Sequence, residues 1–296
     1  MDQKLKIFYI FMCLTVFSIN RSHASFIQTG GSARLKGMGD VSVSATGVDA
    51  IFANPAGILR VRSLEAGFAY SPLYTGLNIQ KNSFGLVLPF SSLNIGLGWL
   101  NFDADIYSEN TFIFTGAWKP VPQMYVGVKY RFLIQKIMLT EAVSEGIDEN
   151  LTGHCIDIGI IYKIKEFLHF GINADSLLSS NLAREGTEYA ERIFTAGVSY
   201  RYMPAGISFV RYLTFAGELS YHSEQEDRLV PKIGLESVSG SEKLSLILRT
   251  GYGRNVISLG PGILFYGITV DYAYLYNIKI EDIGTSHVMS VKYNAF

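Results

Sequence analysis

Cysteine, net charge and long apolar runs are all scarce in this chain. Two of the 296 residues are cysteine. Cys13 falls in an N-terminal apolar run that reads as a cleavable signal, so the mature chain keeps Cys155 alone and forms no internal disulfide. Lys and Arg number 25 against 26 Asp and Glu, for a net charge of −1, which gives no support for a nucleic-acid partner. Charged residues make up 17% and hydrophobic residues 48%, a balance that argues against disorder. After the N-terminus no stretch approaches the ~20 apolar residues that a membrane helix needs. If the chain enters a membrane it must therefore do so as a closed barrel, the other structure that satisfies its backbone in lipid.

Reaction chemistry is missing too. There is no Gly-x-Ser-x-Gly elbow and no phosphate-binding glycine loop followed by lysine. His154, His169, His222 and His287 fall on separate expected elements without metal-ligand spacing. Cys155 reads as a small lumen residue rather than a nucleophile. No enzyme activity, cofactor or metal is expected.

What is abundant is glycine and ring: 29 Gly, 18 Tyr and 19 Phe, the composition of a β-rich chain with an aromatic girdle. Lys4 and Lys6 precede an apolar run from Ile7 to Val16, and Ser22-His23-Ala24 ends it. This three-part pattern predicts export with cleavage after Ala24.

From Ser63 onward apolar side chains recur at every second position. Phe112, Phe114 and Trp118 alternate with Thr111, Thr115 and Ala117. Val126, Val128, Tyr130, Phe132 and Ile134 oppose Gly127, Lys129, Arg131 and Gln135. Ile268, Val270, Tyr272 and Tyr274 oppose Gly267, Thr269, Asp271 and Ala273. A period of two gives each strand one apolar and one polar face. The polar face is mostly Gly, Ala, Ser and Thr, whereas the apolar face is bulky and aromatic. That inverts the soluble pattern and fits a barrel whose bulky side faces lipid.

Fourteen strands are predicted, near 63–71, 82–90, 93–102, 110–118, 123–136, 153–163, 167–174, 192–202, 211–221, 229–237, 243–252, 255–264, 267–275 and 286–296. Links after odd-numbered strands are mostly long and acidic, and links after even-numbered strands mostly short, the habit of outer-membrane barrels. The link at 203–210 and the pair Gly253-Arg254 break that rule, so the count allows an error of one hairpin. The fold class is thus an all-β, antiparallel up-and-down transmembrane barrel of about fourteen strands, with both ends on the periplasmic side. The chain divides into a signal peptide (1–24), a plug-like segment (25–62) and the barrel (63–296).

Each polar face, assigned to the lumen, supplies Glu65, Lys129, Arg131, Asp157, Arg201, Glu218, Glu236, Arg249 and Asp271. Both signs occur, so mutual pairing explains them better than ion conduction does. A charge placed on the lipid face is expected to cost more than a polar change at lumen Arg249.

Residues 25–62 do not alternate. Asn54 stands as N-cap before Pro55 in a first helical turn, and Gly37, Gly39 and Gly57 permit tight turns and close approach. Arg34 and Lys36 are the positive charges ahead of Arg60, available to pair with Glu65, Asp157 or Asp271.

The run Gly31-Ser32-Ala33-Arg34-Leu35-Lys36-Gly37-Met38-Gly39-Asp40, with Asn54-Pro55-Ala56-Gly57, resembles the N-terminal signature of PorV/PorQ-type outer-membrane proteins. The C-terminal pieces Val270-Asp271-Tyr272-Ala273-Tyr274 and Gly284-Thr285-Ser286-His287 agree with it. That group in turn resembles FadL-type transporters of hydrophobic compounds. The resemblance implies a barrel whose N-terminal segment, including Arg34, Gly37, Gly39, Asn54, Pro55 and Gly57, sits in the lumen.

One departure concerns the last strand. His287, Met289, Val291 and Tyr293 share a parity that Phe296 breaks, which calls for either a bulge near Asn294-Ala295 or a weak insertion signal.

Three functions are compatible with this sequence. The barrel is an accessory that presents exported proteins at the cell surface, a channel for hydrophobic small molecules, or a scaffold working through its surface loops. The first matches the N-terminal signature best. The partners implied are outer-membrane lipid and the barrel-assembly machinery, with an exported protein or a hydrophobic ligand as cargo, in the outer membrane of a Gram-negative-type bacterium.

Overall fold

The computed structural model describes residues 31–74, 78–105, 107–137, 150–182, 187–204, 209–225, 227–279 and 285–295. The signal peptide, its cleavage site, residues 25–30 and Phe296 lie outside the described residues.

Fourteen antiparallel strands, each bonded to its neighbours in sequence, close into one barrel in which β1 pairs with β14. They are β1 (Glu65–Leu73), β2 (Ile79–Pro89), β3 (Leu93–Ala104), β4 (Tyr107–Val121), β5 (Met124–Ile137), β6 (Asn150–Lys165) and β7 (Leu168–Ser179). The ring continues with β8 (Ile193–Tyr202), β9 (Val210–His222), β10 (Leu229–Gly240), β11 (Leu244–Gly253), β12 (Val256–Phe265), β13 (Ile268–Asn277) and β14 (Ser286–Asn294). All fourteen strands expected from the alternation are present. Closure leaves no edge unpaired, which is what a backbone in lipid requires.

The two links that broke the long-short rule are real features and not a miscounted hairpin. Arg254 and Asn255 both take positive φ, 50° and 62°, the conformation of a two-residue type I′ turn that suits the twist of a hairpin. β11 and β12 therefore need no long loop.

Side-chain exposure follows the expected parity. Phe68, Phe114, Val198, Leu219, Leu248 and Val270 point outward and are exposed, while Glu65, Thr115, Lys129, Ser199, Glu218 and Arg249 point inward and are buried. The lumen is less uniformly polar than expected, however. Val87, Ile113 and Ala117 also point inward, where they form a core with Ala45, Val48, Ile51, Phe52 and Ile58 of the N-terminal segment.

Two local details differ from expectation. Along β6 and β7 the partners jump from Ile158↔Ala174 to Ile156↔Leu178, so three residues of β7 face Asp157 alone. This bulge carries Ser176 at φ 52°. It breaks the alternation, which is why the sequence reading stopped the strand at 174. Near the end of the chain, β14 pairs with β1 without a shift from Met289↔Tyr70 through Asn294↔Glu65. Of the two explanations offered for the broken parity, the bulge is not found among the described residues.

Candidate functional site

The N-terminal segment runs as a short helix (Ala33–Gly37), a 3-10 turn (Ser42–Ser44), a second short helix (Val48–Ile51) and a 3-10 turn (Pro55–Arg60). Ser32 caps the first helix by accepting from the Leu35 N–H, and Asn54 caps the last turn by accepting from Ala56 N–H at 3.1 Å. None of these pieces is long enough to persist in water alone, so their order comes from the wall around them.

That wall holds the segment through its backbone. Glu65 accepts from Val48 N–H at 2.8 Å. Glu218 accepts from the N–H groups of Ser42 at 2.7 Å and Val43 at 3.2 Å. Asn94 donates to the Ile58 and Val61 carbonyls at 2.7 and 3.0 Å. Asn54 returns the favour by donating to the wall carbonyls of Ile172 and Ile160 at 3.0 and 3.4 Å. The side chains of Glu65, Asn94 and Glu218 are buried on the inward faces of their strands, so these contacts set the segment against the inside of the wall.

Close approach is possible because the wall is bare where the segment touches it. A Cβ on Gly127 would stand 2.4 Å from Ala56 N, and one on Gly159 would stand 2.1 Å from Asn54 Oδ1. The motif glycines are equally committed: a Cβ on Gly37 would stand 3.3 Å from Gly260 Cα, and one on Gly57 would stand 2.5 Å from Ala45 O. Gly39, at φ +70°, lies against Tyr252.

The lumen charges form two networks. Arg34 grips Glu236 with a fork of 2.9 and 3.1 Å and reaches Asp49 at 3.5 Å. Arg249 bridges Glu236 at 2.8 Å and Asp271 at 2.7 Å. It spans β12 to do so, and Gly262, whose Cβ would stand 2.0 Å from Asp271 Oδ1, leaves that path open. In the second network Arg131 forks onto Asp157 with two bonds of 2.8 Å, and Lys129 reaches Asp157 at 3.1 Å and Asp175 at 3.4 Å. Lys232 pairs with Glu218 at 3.0 Å. Such forks are the strong form of ion pair. Burial works against the Arg34 charge, but Glu236 and Asp49 outweigh it and hold the guanidinium protonated.

These contacts revise several expectations. Arg34 pairs with Glu236 and Asp49 rather than with Glu65, Asp157 or Asp271, and Lys36 pairs with Asp40 at 2.9 Å. Arg201 joins neither network and lies over the ring of Tyr212, 4.5 Å from its centre. Arg249, expected to tolerate a polar change better than the lipid face tolerates a charge, has two buried carboxylates to hold. Sequence reasoning passed over Lys232, although the parity that selects Glu236 selects it as well. Asp175 and Asp49 gave no signal: the expected strand stopped one residue short of the first, which keeps the inward parity of His169 and Asn173, and the other sits outside any alternation.

Above the segment, at the long-loop end, a cavity of about 760 Å³ opens among β1, β2, β10–β13 and β14. Its floor includes Lys36, Gly39 and Asp40. Leu73, Leu100, Val230, Tyr252 and Leu275 give it apolar walls, and Lys81 and Arg254 add positive charge. A smaller cavity of about 110 Å³ shares Gly39, Asp40, Val230, Gly253 and Arg254 with it and reaches Asp175 and His222. The first lies within the range of small-molecule sites. Among the described residues no three His, Cys, Asp or Glu side chains converge as metal ligands.

The barrel can be set beside solved structures. The Pseudomonas putida toluene transporter TodX superposes with a TM-score of 0.65 at 9% identity, covering 91% of this chain and 99% of that one. The CymD monoaromatic hydrocarbon channel gives 0.61 at 11% identity, over 92% and 99%. A FadL homologue from Pseudomonas aeruginosa gives 0.55 at 10%, over 89% and 98%. The likeness is one of fold. It extends to the closed fourteen-stranded barrel alone, and nothing in it points to the PorV/PorQ group. No protein-family model matches the chain, and no curated protein matches it in sequence.

Proposed function

We propose that this protein is an outer-membrane channel for small hydrophobic molecules, with residues 31–60 acting as its plug. The observation that carries this reading is the 760 Å³ cavity seated on the segment, in a fold shared with TodX and CymD. A ligand arriving from the long-loop side meets apolar walls down to the Gly39-Asp40 turn. Both cavities border that turn, so its displacement would join them into one path. The exterior supports residence in the outer membrane after removal of 1–24, since exposed Phe68, Phe114, Leu219, Leu248 and Val270 form an apolar belt.

The reading as an accessory of protein export has only the N-terminal motif behind it. Arg34, Gly37, Asn54, Pro55 and Gly57 are taken up by packing inside the barrel, and Gly39 lines the cavity floor.

Uptake of radiolabelled toluene tests the channel. The protein would be expressed in a lipopolysaccharide-bearing host that lacks its own channel of this kind. Uptake should exceed that of host cells and should fall to background in Ser71→Trp, which fills the cavity from the inward face of β1. Wild-type uptake equal to the host background would refute the proposal.

A further inference from the structure

Three rows of side chains stand in register on the outward faces of β2, β3 and β4, toward the long-loop end. Phe84, Trp99 and Phe112 face one another across the strands, and Asn82, Asn101 and Asn110 do the same one step nearer the loops. Leu86, Leu97 and Phe114 form the third row, one step toward the middle of the wall. Lys81 and Ser83, on either side of Asn82, point the other way into the cavity. The amides interrupt a lipid-facing pattern, since across β1 and β14 their row continues as Tyr70 and Met289, both exposed. A carboxamide at such a place needs a partner. Part of that need is met within the row. Asn82 Nδ2 donates to Asn101 Oδ1 at 3.1 Å, and Asn110 Oδ1 accepts from Asn101 Nδ2 at 3.4 Å and from Trp99 Nε1 at 3.1 Å. Asn82 Oδ1 and Asn110 Nδ2 are left without a partner among the described residues.

This pattern selects a ligand by its chemistry. The ring and amide rows contain no lysine, arginine or carboxylate, so they lack the cations that hold a phosphate. A carboxamide presents a donor and an acceptor together, and so does a hydroxyl group. Rows lie about 7 Å apart along a strand and neighbours within a row about 5 Å apart. One flat ring can therefore rest on an aromatic side chain and still reach the amide next to it. The C–H face of a pyranose suits the negative face of an indole or phenyl ring. The bond from Trp99 to Asn110 fixes the indole beside the amides.

We infer that the ring and amide rows of β2–β4 bind the saccharide headgroup of a glycolipid in the cell-surface leaflet. One sugar packs on Trp99 with a hydroxyl oxygen accepting from Asn110 Nδ2, and a second, linked sugar donates a hydroxyl to Asn82 Oδ1. The long loops mark this end of the barrel as the cell-surface one. Leu86, Leu97 and Phe114 continue the same face into the lipid, where acyl chains lie along them, which favours an anchored sugar over a soluble one. The site is on the outer wall and stands whatever the 760 Å³ cavity carries.

The test uses the full mature barrel in phosphatidylcholine nanodiscs. Trp99 and Trp118 are its two tryptophans, so Trp118→Phe leaves Trp99 emission as the readout. Lipooligosaccharide is titrated in, whole or dephosphorylated, beside phosphatidylglycerol and phosphatidylethanolamine. Both glycolipid forms should give a saturable change, and neither phospholipid should. Asn110→Ala and Asn82→Ala, each checked for heat-modifiability, should weaken the binding about tenfold, while Leu259→Ala on the far wall leaves it unchanged. The deacylated oligosaccharide should bind at least about tenfold more weakly than the whole glycolipid. No saturable change with glycolipid overturns the proposal, and so does undiminished binding by both asparagine variants. Loss of binding on dephosphorylation, or an equal response to phosphatidylglycerol, would show that charge and not sugar is recognised. Equal binding of the deacylated oligosaccharide would make the occupant a soluble sugar and sink the glycolipid reading.

Discussion

Replacing Arg249 by methionine removes the one described cation that Asp271 touches, at 2.7 Å, and takes one of two cations from Glu236. Arg34 stays on Glu236, so the loss concentrates on Asp271, which is 4% exposed. Leaving a buried charge without its partner costs about 3–5 kcal/mol. Neutralising the stranded acid should recover much of that loss, so Arg249→Met with Asp271→Asn should be more stable than Arg249→Met alone. The coupling between the two positions should then be on the order of 2–3 kcal/mol. Urea unfolding of the barrel in lipid vesicles, followed by heat-modifiability, gives the four stabilities of the cycle. Additive effects, with coupling below about 0.5 kcal/mol, would refute the ion-pair account and restore Arg249 as a tolerant lumen residue.

Other outcomes can be checked on the same preparations. Leu248→Arg and Val128→Arg place a charge toward lipid and should each cost about 2–4 kcal/mol near mid-bilayer, read by the same urea assay. Gly159→Leu drives a side chain into Asn54 and Pro55, so it should displace the segment and raise planar-bilayer conductance while the barrel stays heat-modifiable. Deleting 31–60 should give a larger conductance still, because the wall keeps its own hydrogen bonds. The deletion should also unfold at lower urea, since Glu65, Glu218 and Asn94 lose their partners in the segment.

Strands were legible because lipid enforces a strict rule. A residue such as Phe114 or Val198 has one place to go, and its neighbours Thr115 and Ser199 have the other, so parity alone assigned both faces. The lumen follows no such rule. Ile113 has the inward parity but is apolar, and its position makes sense only once Ile51 is known to pack there. Likewise the partner of Arg34 depends on how the segment lies in the barrel, which no periodicity encodes. Glu236, on the correct face from the start, turned out to receive it. The β7 bulge was hidden for a related reason: a break in alternation looks the same in sequence as the end of a strand.

The backbone contacts between wall and segment bear on how the strands find their register. Glu65 on β1, Glu218 on β9, Asn94 on β3 and Ser290 on β14 each hold a main-chain group of one continuous stretch of chain. A slip of one residue in any of these strands would turn its polar group toward lipid and strand the amide or carbonyl it serves. Misaligned rings therefore lose contacts at both faces together. The segment thus fits the wall in one order and one offset of these strands.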